Sequence, residues 1–416
     1  MTASPSLVLD GLRAQATDLD ARDPLAGYLE EFVPAPGVTA YLDGNSLGRP
    51  LRSTADHLSR FVADDWGTRL IRSWDEGWMD TPTVLGDRIA RIALGAAAGQ
   101  TVVADSTTVM LYKLLHAAVT AMPGRDEIVV ERANFPTDRF IAESVAAQTG
   151  ATVRWVETDP IAGVRLTDID ATVSERTAVV VLSHVDYRSA ALADMAGITA
   201  AVHRHGALML WDLCHSAGAV PMQLDAWDVD LAVGCGYKYL NGGPGSPAFA
   251  YVRAELHDRL RQPIQGWMGA ADVFAMKEGY TAARGIRQFI SGTPPVLAMV
   301  PLSDMLDLVE RASIDAIRRK SVSLTGLVVD AYDRLLAPRG VRLLSPADPA
   351  QRGGHVSFGH ESFREVTRLL WRQGVIPDFR FPDGIRVGLS PLSTSHREAL
   401  EGVIAIHAAM DAQDAA

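Results

Sequence analysis

The sequence predicts an α/β fold, in which a mainly parallel seven-stranded sheet with flanking helices is followed by a smaller α+β unit. Three observations support this prediction. Between about residues 100 and 252, short apolar runs alternate with longer segments of helical character. Several runs are continuously apolar, as expected for strands buried on both faces of a sheet. After Pro294-Pro295 the pattern changes to long helical stretches with a few short strands between them.

Seven apolar runs define the strands of the predicted sheet. Most intervals between them are long enough for a crossover helix, for instance the alanine-rich segment from Ala190 to Gly206, and such crossovers join parallel strands. The last run follows a turn, and we expect it to be the antiparallel member. The runs are Thr101–Ala104, Glu127–Glu131, Thr152–Val156, Ala178–Ser183, Ala207–Asp212, Leu231–Cys235 and Pro247–Val252.

The C-terminal part predicts a second, α+β unit. Residues 296–335 are expected to form one connecting helix, because apolar residues such as Leu302, Leu306 and Val309 recur there at helical spacing. Beyond it we expect short strands near residues 341–344, 355–358 and 385–389 and helices at residues 362–373 and 395–411.

Composition indicates a soluble globular protein and restricts its partners. The 416 residues are 48% hydrophobic and 21% charged, and this length allows two or three domains. A formal net charge of -11 without a basic block argues against nucleic acid and membrane surfaces as partners. Only two cysteines occur, Cys214 and Cys235, so a disulfide framework is excluded. Residues 1–6 lack the features of a signal or transit peptide and no apolar run is long enough to span a membrane, so we expect a cytoplasmic protein.

An aspartate and a lysine follow two successive predicted strands. Asp212 ends one strand, and Lys238 comes after the next one, beside Tyr237 and before a glycine-rich turn. A lone aspartate here would more often cap a helix or form a turn, but ligands bind at the carboxyl ends of strands in open α/β sheets. A lysine amine forms a Schiff base with the aldehyde of pyridoxal 5'-phosphate, and a buried carboxylate keeps the pyridine nitrogen protonated. The pair therefore predicts a pyridoxal-phosphate enzyme.

Other residues that follow the strands are candidates for the same site. Thr107 and Thr108 begin a helix, where hydroxyls and free backbone N–H groups suit a phosphate, although the pattern alone is also that of an ordinary N-cap. Phe135 either stacks on the pyridine ring or is a buried residue of a proline turn, and Asp138 follows it. His215, expected at the start of a helix, is either a second cofactor neighbour or a capping residue.

Arg386 lies on a predicted strand made otherwise of apolar and small residues. An arginine there requires a buried anion, because an unpaired buried charge is costly. A substrate carboxylate, held by the two-pronged guanidinium, and a structural Asp or Glu are equally consistent with the sequence. His203 and His205 stand two residues apart on a predicted helix, so their side chains diverge and we predict no metal site.

Taken together and in order, these motifs resemble the kynureninase family of pyridoxal-phosphate enzymes, which have the aspartate aminotransferase fold (fold type I). The resemblance extends over most of the chain. It rests on Asn45-Ser46-Leu47-Gly48, Phe135-Pro136-Thr137-Asp138, Asp212 with His215, Tyr237-Lys238-Tyr239-Leu240-Asn241, Gly266-Trp267, Ser291-Gly292-Thr293-Pro294-Pro295 and Gly384-Ile385-Arg386-Val387.

The resemblance implies a domain organisation and a reaction. Residues 51–300 would form the cofactor-binding large domain, and residues 301–416 the small domain, against which residues 1–50 would pack. The reaction would be hydrolytic Cβ–Cγ cleavage of L-kynurenine, and possibly of 3-hydroxy-L-kynurenine, to anthranilate or 3-hydroxyanthranilate and L-alanine. The pathways would be tryptophan catabolism and NAD biosynthesis. The residues around Trp74 and Thr293 are more similar to bacterial members, which favour unsubstituted kynurenine.

The resemblance also implies roles for individual residues in a homodimer with shared active sites. Lys238 and Tyr237 would be catalytic. Trp267 and Thr293 would reach the cofactor phosphate from the partner subunit, and Ser46, Trp74 and Arg386 would bind the substrate. The remaining cofactor neighbours would be Thr107, Thr108, Phe135, Asp138, Ser183, Asp212 and His215.

Three alternatives remain at this stage. The first is a related hydrolase that acts on a modified kynurenine in secondary metabolism. The second is a cysteine desulfurase or selenocysteine lyase, which would need a nucleophilic cysteine on a mobile loop, whereas Cys214 and Cys235 lie on or beside predicted buried strands. The third is a non-enzymatic regulator of the same fold, which would need an added basic DNA-binding segment that the acidic residues before Tyr41 do not supply.

Overall fold

The computed structural model describes residues 5–414. Residues 1–4, part of the segment for which we expect no signal or transit peptide, and residues 415–416 lie outside the described range. Within that range, helices alternate with short 3-10 and π-helical turns. None of the helices described is long and apolar enough to cross a membrane. The helices are α1 (Pro5–Ala21), α2 (Arg52–Arg60), α3 (Thr81–Ile89), α4 (Thr107–Thr120), α5 (Pro136–Thr149), α6 (Leu166–Thr172), α7 (Met195–Arg204), α8 (Val296–Ala312), α9 (Ile314–Ala331), α10 (Phe363–Arg372) and α11 (His396–Asp414).

The strands form two separate sheets. The larger has the order β2-β8-β7-β6-β5-β3-β4, and the smaller has the order β1-β11-β12-β10-β9. In chain order the strands are β1 (Ala40–Leu42), β2 (Thr101–Ala104), β3 (Glu127–Glu131), β4 (Thr152–Val156), β5 (Thr177–Ser183), β6 (Leu208–Asp212), β7 (Leu231–Cys235), β8 (Ala248–Val252), β9 (Arg342–Leu343), β10 (His355–Gly359), β11 (Val375–Arg380) and β12 (Gly384–Gly388).

The larger sheet confirms the predicted fold class. All seven predicted strands are present, β2 to β8, with ends within one residue of those expected. Strands β3 to β7 are mutually parallel. Strand β8 is antiparallel to both of its neighbours, β7 and β2, as its position after a turn indicated.

The central strand β5 shows why its sequence is continuously apolar. Val179 and Val181 face the core formed with α4 and α5. Val180 and Leu182 face the opposite core, formed with α7. All four side chains are fully buried, so neither face of the strand can carry the polar alternation typical of a half-exposed sheet.

The smaller sheet joins the two ends of the chain. Strand β1 pairs in parallel with β11, and α1 packs against α11. Two of its strands, β1 and β11, were not predicted. Strand β1 has only three residues, and β11 contains Pro377 and the charged Asp378 and Arg380, which obscure a strand pattern. The domain limits at residues 50 and 300 stay a prediction.

The single connecting helix predicted over residues 296–335 is wrong, because the chain forms two helices there. Helix α8 ends at Ala312 and α9 begins at Ile314. Between them Ser313 has a positive φ of 66° and caps α9, since its hydroxyl accepts a hydrogen bond from the Ala316 N–H. Its side chain and backbone therefore restart the helix in a new direction.

A buried ion pair holds the segment after α1 against α9. The Lys320 ammonium lies 2.7 Å from the Asp23 carboxylate, and both side chains are only 3% exposed. We expect Asp23→Asn to lower the free energy of unfolding by about 3 kcal/mol, because it leaves a buried ammonium without its counter-charge. Urea unfolding measures this loss.

The neighbouring pair of Arg22 and Asp18 provides the control for this prediction. Its side chains are 75% and 72% exposed, so Arg22→Ala should change the free energy of unfolding by less than about 1 kcal/mol. Equal stability losses in the two variants would contradict the importance assigned to the buried pair.

Candidate active site

Asp212 and Lys238 meet in one cavity at the carboxyl edge of the large sheet. Asp212 ends β6, and Lys238 follows the adjacent parallel strand β7 by three residues. The cavity has a volume of about 120 Å³. Nine of the residues predicted for the site line it: Thr107, Thr108, Phe135, Asp138, Ser183, Asp212, His215, Tyr237 and Lys238.

Two carboxyl groups share the floor of this cavity. Asp138, in the first turn of α5, is 2% exposed and is hydrogen-bonded to Asp212. Burial, and then the proximity of Asp212, raise the pKa of Asp138 well above its ordinary value. The proton of the pair is therefore favoured on Asp138, from which a hydrogen bond can be donated to Asp212. The other side of Asp212 is held by the Cys214 N–H, which donates to Oδ1 at 2.8 Å.

The lysine amine lies between an imidazole and an aromatic ring. Lys238 Nζ is 3.5 Å from His215 Nδ1 and 5.8 Å from the centre of the Phe135 ring. Phe135 is held edge-on by Tyr187, at 5.2 Å between ring centres. Burial, and then the charge of Lys238, lower the pKa of His215 well below its ordinary value, so this ring is neutral.

The prediction that His215 begins a helix is wrong, because residues 214–219 form turns. The reason is Gly218, which has a φ of +88°. A Cβ at this glycine would lie 2.9 Å from the carbonyl carbon of Tyr239. The positive φ and the close approach of Tyr239 require glycine at this position. A residue with this φ does not continue an α-helix, and the turn places His215 beside Lys238.

A second cavity, of about 490 Å³, adjoins the first and shares Thr107, Thr108 and Tyr237 with it. Thr293 also lines it. Helix α4 begins here with Ser106 as its N-cap, whose hydroxyl accepts from the Val109 N–H at 3.4 Å. A helix N-terminus with adjacent hydroxyls is a suitable place for a phosphate.

The carboxylate beside this helix terminus is paired with a buried ammonium group. Asp105 precedes α4, and its carboxylate lies 2.5 Å from the Lys113 ammonium. Lys113 is fully buried and also donates to the Phe289 carbonyl at 2.9 Å. The internal cation offsets the negative charge that would otherwise repel an anion.

Tyr237 lies between the two cavities. Its hydroxyl lies near the Cys235 thiol, and its side chain borders both cavities. Burial, followed by the proximity of Cys235, raises the pKa of Tyr237 above its ordinary value. The phenol therefore keeps its proton throughout the physiological range.

Arg386 lies on β12 with a structural carboxylate beside it. Its guanidinium is 2.8 Å from Asp378 and donates to the Tyr187 carbonyl at 2.8 Å and to the Ser46 hydroxyl at 2.7 Å. Arg386 also borders a cavity of about 280 Å³ that Arg188 and two further arginines line. The structural anion considered for Arg386 is thus present, and its binding of a substrate carboxylate stays a prediction.

Four predicted residues line neither of these two cavities: Ser46 and Arg386, which are hydrogen-bonded to each other, and the tryptophans Trp74 and Trp267. Trp74 packs edge-on against Trp78, at 5.4 Å between ring centres. Trp267 is 43% exposed and contacts Phe274 at 6.3 Å. A contribution of Trp267 to the site of a partner subunit stays a prediction.

Three residues of the site escaped the sequence interpretation. The Asn134 amide oxygen accepts from the Ser183 hydroxyl at 2.8 Å and from the Phe135 N–H at 2.6 Å. Tyr187 supports Phe135 and Arg386, and Asp378 pairs with Arg386. Asn134 and Tyr187 both follow strand ends, which is a usable signal, whereas Asp378 belongs to a strand that the sequence concealed.

A buried glutamate at the end of β3 makes stability depend on pH. Glu131 is 3% exposed, and burial, with a smaller contribution from Asp186, raises its pKa from 4.5 to about 7. Between these values the folded protein binds more protons than the unfolded chain, so the free energy of unfolding falls as the pH rises, by about 3 kcal/mol in total. We expect Glu131→Gln to remove this loss, because the amide stays neutral.

Urea unfolding at about pH 5 and about pH 8 tests this prediction. Glu131→Gln should exceed the wild type in stability at the higher pH and approach it at the lower one. Glu143, exposed on α5, provides the control variant Glu143→Gln, which should not change the slope. A constant difference between Glu131→Gln and the wild type at both pH values would disprove a titrating Glu131.

The residues of the two cavities fit a phosphorylated pyridine aldehyde. An amine, a carboxylate and an aromatic ring surround the first cavity, and a helix N-terminus with three hydroxyl side chains borders the second. A buried polar atom without a partner points to the same conclusion, since Asn134 Nδ2 makes no hydrogen bond within the described part of the chain. The fold and this site define a pyridoxal-phosphate-dependent enzyme of fold type I.

Comparison with known proteins agrees with this class. The family model "Aminotransferase class-V" matches residues 87–376. A cysteine desulfurase from Escherichia coli superimposes with a TM-score of 0.77 at 20% identity, over 93% of this chain and 98% of the other. An apo cysteine desulfurase from Thermococcus onnurineus gives a TM-score of 0.76 at 18% identity, over 95% and 97% of the two chains. At such identities the structures show the shared fold alone.

Sequence relatives specify the family. A kynureninase from Pseudomonas fluorescens is 41% identical over 393 residues, which are 92% of each chain. A kynureninase from Deinococcus radiodurans is 40% identical over 404 residues, or 96% of each chain. The chain belongs to the kynureninase family.

Proposed function

We propose that the protein is a kynureninase that cleaves the Cβ–Cγ bond of L-kynurenine with one water molecule, forming anthranilate and L-alanine. The observation that carries this proposal is the identity of about 40% with kynureninases over nearly the whole chain. The fold and the lysine alone would also fit other pyridoxal-phosphate enzymes. The cavities support the reaction because they combine a base, a proton donor and an arginine in one region.

The cofactor is pyridoxal phosphate, and we assign its contacts to residues of the two cavities. Thr107, Thr108 and the N-terminus of α4 would hold the phosphate, Phe135 would cover the ring, and Asp212 would face the pyridine nitrogen. When bound, the cofactor supplies an electron sink for the substrate α-carbon. A protonated Asp138 that donates a hydrogen bond to Asp212 would stabilise the ionised form of Asp212, which the pyridine nitrogen needs.

Proton transfers in the reaction require a base and an acid, and two residues supply them. Lys238, freed when the substrate takes its place, removes the proton from the α-carbon. The neutral His215 ring lies beside its amine and adds no competing positive charge. Tyr237 keeps its phenolic proton and donates it in the late steps, when the three-carbon product is completed.

Arg386 and Ser46 would hold the substrate carboxylate. The two side chains are joined by a hydrogen bond of 2.7 Å, and Arg386 borders the arginine-lined cavity. A carboxylate that binds there would take over one of the contacts that Asp378 and Ser46 now make. Trp74 is proposed to lie near the aromatic end of the substrate, within an assembled dimer.

A cysteine desulfurase activity lacks the residue that it requires. Both cysteines of the chain are buried, on or directly after central strands of the large sheet. Cys214 donates weakly towards Thr107 and Cys235 towards the Cys214 carbonyl. Neither thiol is placed on a loop where it could attack a sulfur substrate.

The proposal extends to a homodimer with shared active sites, acting in the cytoplasm in tryptophan catabolism and NAD biosynthesis. Exposed apolar side chains support the dimer, among them Ile71 at 76% and Met276 at 77% exposure. Mixing subunits that carry Lys238→Ala with subunits that carry Trp267→Ala should restore activity, because a hybrid dimer has one site with both residues intact. Absence of any recovery would contradict shared sites.

The activity itself is tested with purified protein given L-kynurenine or 3-hydroxy-L-kynurenine in separate reactions. We expect fluorescent anthranilate and an equal amount of L-alanine from L-kynurenine, with slower reaction of the hydroxylated substrate. Lack of both products, with the cofactor bound, would refute the proposed function.

A further inference from the structure

A second buried imidazole, which does not line the cavity, packs against His215. His355 begins β10 and is fully buried. Its ring centre lies 5.7 Å from that of His215, and the two planes are inclined by 58°. His355 is opposite Gly388 in the pairing of β10 with β12, two positions along from the pair formed by Ser357 and Arg386. It therefore lies on the same face of the small sheet as Arg386.

Three ring nitrogens of this histidine pair have no well-formed hydrogen bond, although the Arg188 backbone lies near the His355 ring. They are Nε2 of His215 and both Nδ1 and Nε2 of His355. Burial, and then the neighbouring cations Lys238 and Arg386, lower the pKa of both rings well below its ordinary value. Each ring is therefore neutral and offers one donor and one acceptor. Leaving such groups unpaired inside a protein is costly, and native structures almost always satisfy them.

The spacing of the rings accounts for the missing partner. No direct hydrogen bond joins them, and with ring centres 5.7 Å apart the two rings are close enough for one water molecule to reach a nitrogen of each. A buried water typically forms two to four hydrogen bonds with otherwise unsatisfied polar groups. Neutral donors and acceptors suit water, whereas an anion would be favoured by the nearby Arg386 and Arg380 charges but not by an acceptor nitrogen.

We propose that an ordered water bridges His215 Nε2 and His355, and that His355 is thereby a positioning residue for His215. With Nε2 held by this water, the His215 ring keeps its Nδ1 edge towards Lys238, 3.5 Å away. The orientation of the lysine amine thus depends on a side chain that does not border the cavity. The kinetic part of this inference rests on the proposed function, whereas the water itself does not.

Crystal structures of the holoenzyme test the water site. We expect a density peak about 2.8 Å from His215 Nε2 and from one nitrogen of His355, without anomalous signal. In His355→Leu the peak should disappear, and in His355→Gln, whose amide keeps a donor and an acceptor, it should remain. An empty gap, an anomalous chloride or direct contact of the two rings in the wild type would each overturn the proposal.

Kinetics of the same variants test the positioning role. His355→Leu should lower kcat about tenfold with little change in KM, which is the loss that one buried hydrogen bond supports, and His355→Gln should recover most of it. The control is His184→Leu, which removes another fully buried imidazole with an unpartnered nitrogen, packed on Trp211 outside the cavity. It should lower stability but retain the water and kcat.

The outcomes separate the two proposals. Full kcat in His355→Leu with an unmoved His215 ring would refute the positioning role. A wild-type protein that fails to convert kynurenine would refute the proposed function, and the density between the rings would still decide whether the water is present.

Discussion

Replacement of Lys238 by alanine is expected to abolish turnover, with a fall in kcat of about 10³-fold or more, and to remove the covalent link to the cofactor. The physical reason is that only one lysine of the chain lines the cavity. The chain contains four. Lys113 and Lys320 are buried in ion pairs with Asp105 and Asp23, and Lys277 is exposed. Lys238 alone places its amine in the cavity that Asp212 and Phe135 border.

Reduction of the holoenzyme with borohydride, followed by peptide mapping, provides the measurement. We expect the pyridoxyl label on the peptide that contains Lys238 and on no other lysine. Lys277→Ala is the matched control and should keep both the visible absorption of the bound cofactor and full activity. Label on another lysine, or an active and coloured Lys238→Ala variant, would show that the assignment is wrong.

The large sheet was predictable because burial on both faces favours an apolar residue at every position of a strand. Val179 to Leu182 have no exposed position, so the run is apolar throughout and its limits are visible. The order of strands then places residues that are distant in sequence at one edge. Asp212 ends a strand and Phe135 and Lys238 follow strands, so the sequence places all three at the same edge of the sheet.

The small sheet was less visible because its strands are short or polar on one side. Strand β11 carries Asp378 and Arg380, so no apolar pattern indicated that Asp378 would lie 2.8 Å from Arg386.

The turn at His215 could not be predicted for another reason. Only the approach of Tyr239 to Gly218, a contact between segments about twenty residues apart, excludes a helix there. Pair contacts of this kind are set by the tertiary structure and not by local pattern.

The carboxyl pair of Asp138 and Asp212 gives the second large effect, because burial and the neighbouring carboxyl favour a proton on Asp138. Asp138 is fully enclosed, and burial and its neighbour keep its proton in place. Asp212 accepts that proton in a hydrogen bond and also accepts from the Cys214 N–H. A neutral amide can replace a protonated carboxyl as a donor, but it cannot replace a carboxylate opposite a protonated pyridine nitrogen. The two positions should therefore respond unequally to the same substitution.

Asp212→Asn is expected to lower kcat by about 10²-fold or more, and Asp138→Asn by less than about tenfold. Stopped-flow assays with L-kynurenine measure both, and cofactor absorption during dialysis reports whether either variant loses the cofactor. Circular dichroism checks that both remain folded, since each change replaces a side chain by one of the same shape. Equal losses in the two variants would show that the proton is not localised on Asp138. A larger loss in Asp138→Asn would show that the charge facing the cofactor resides on Asp138 and not on Asp212.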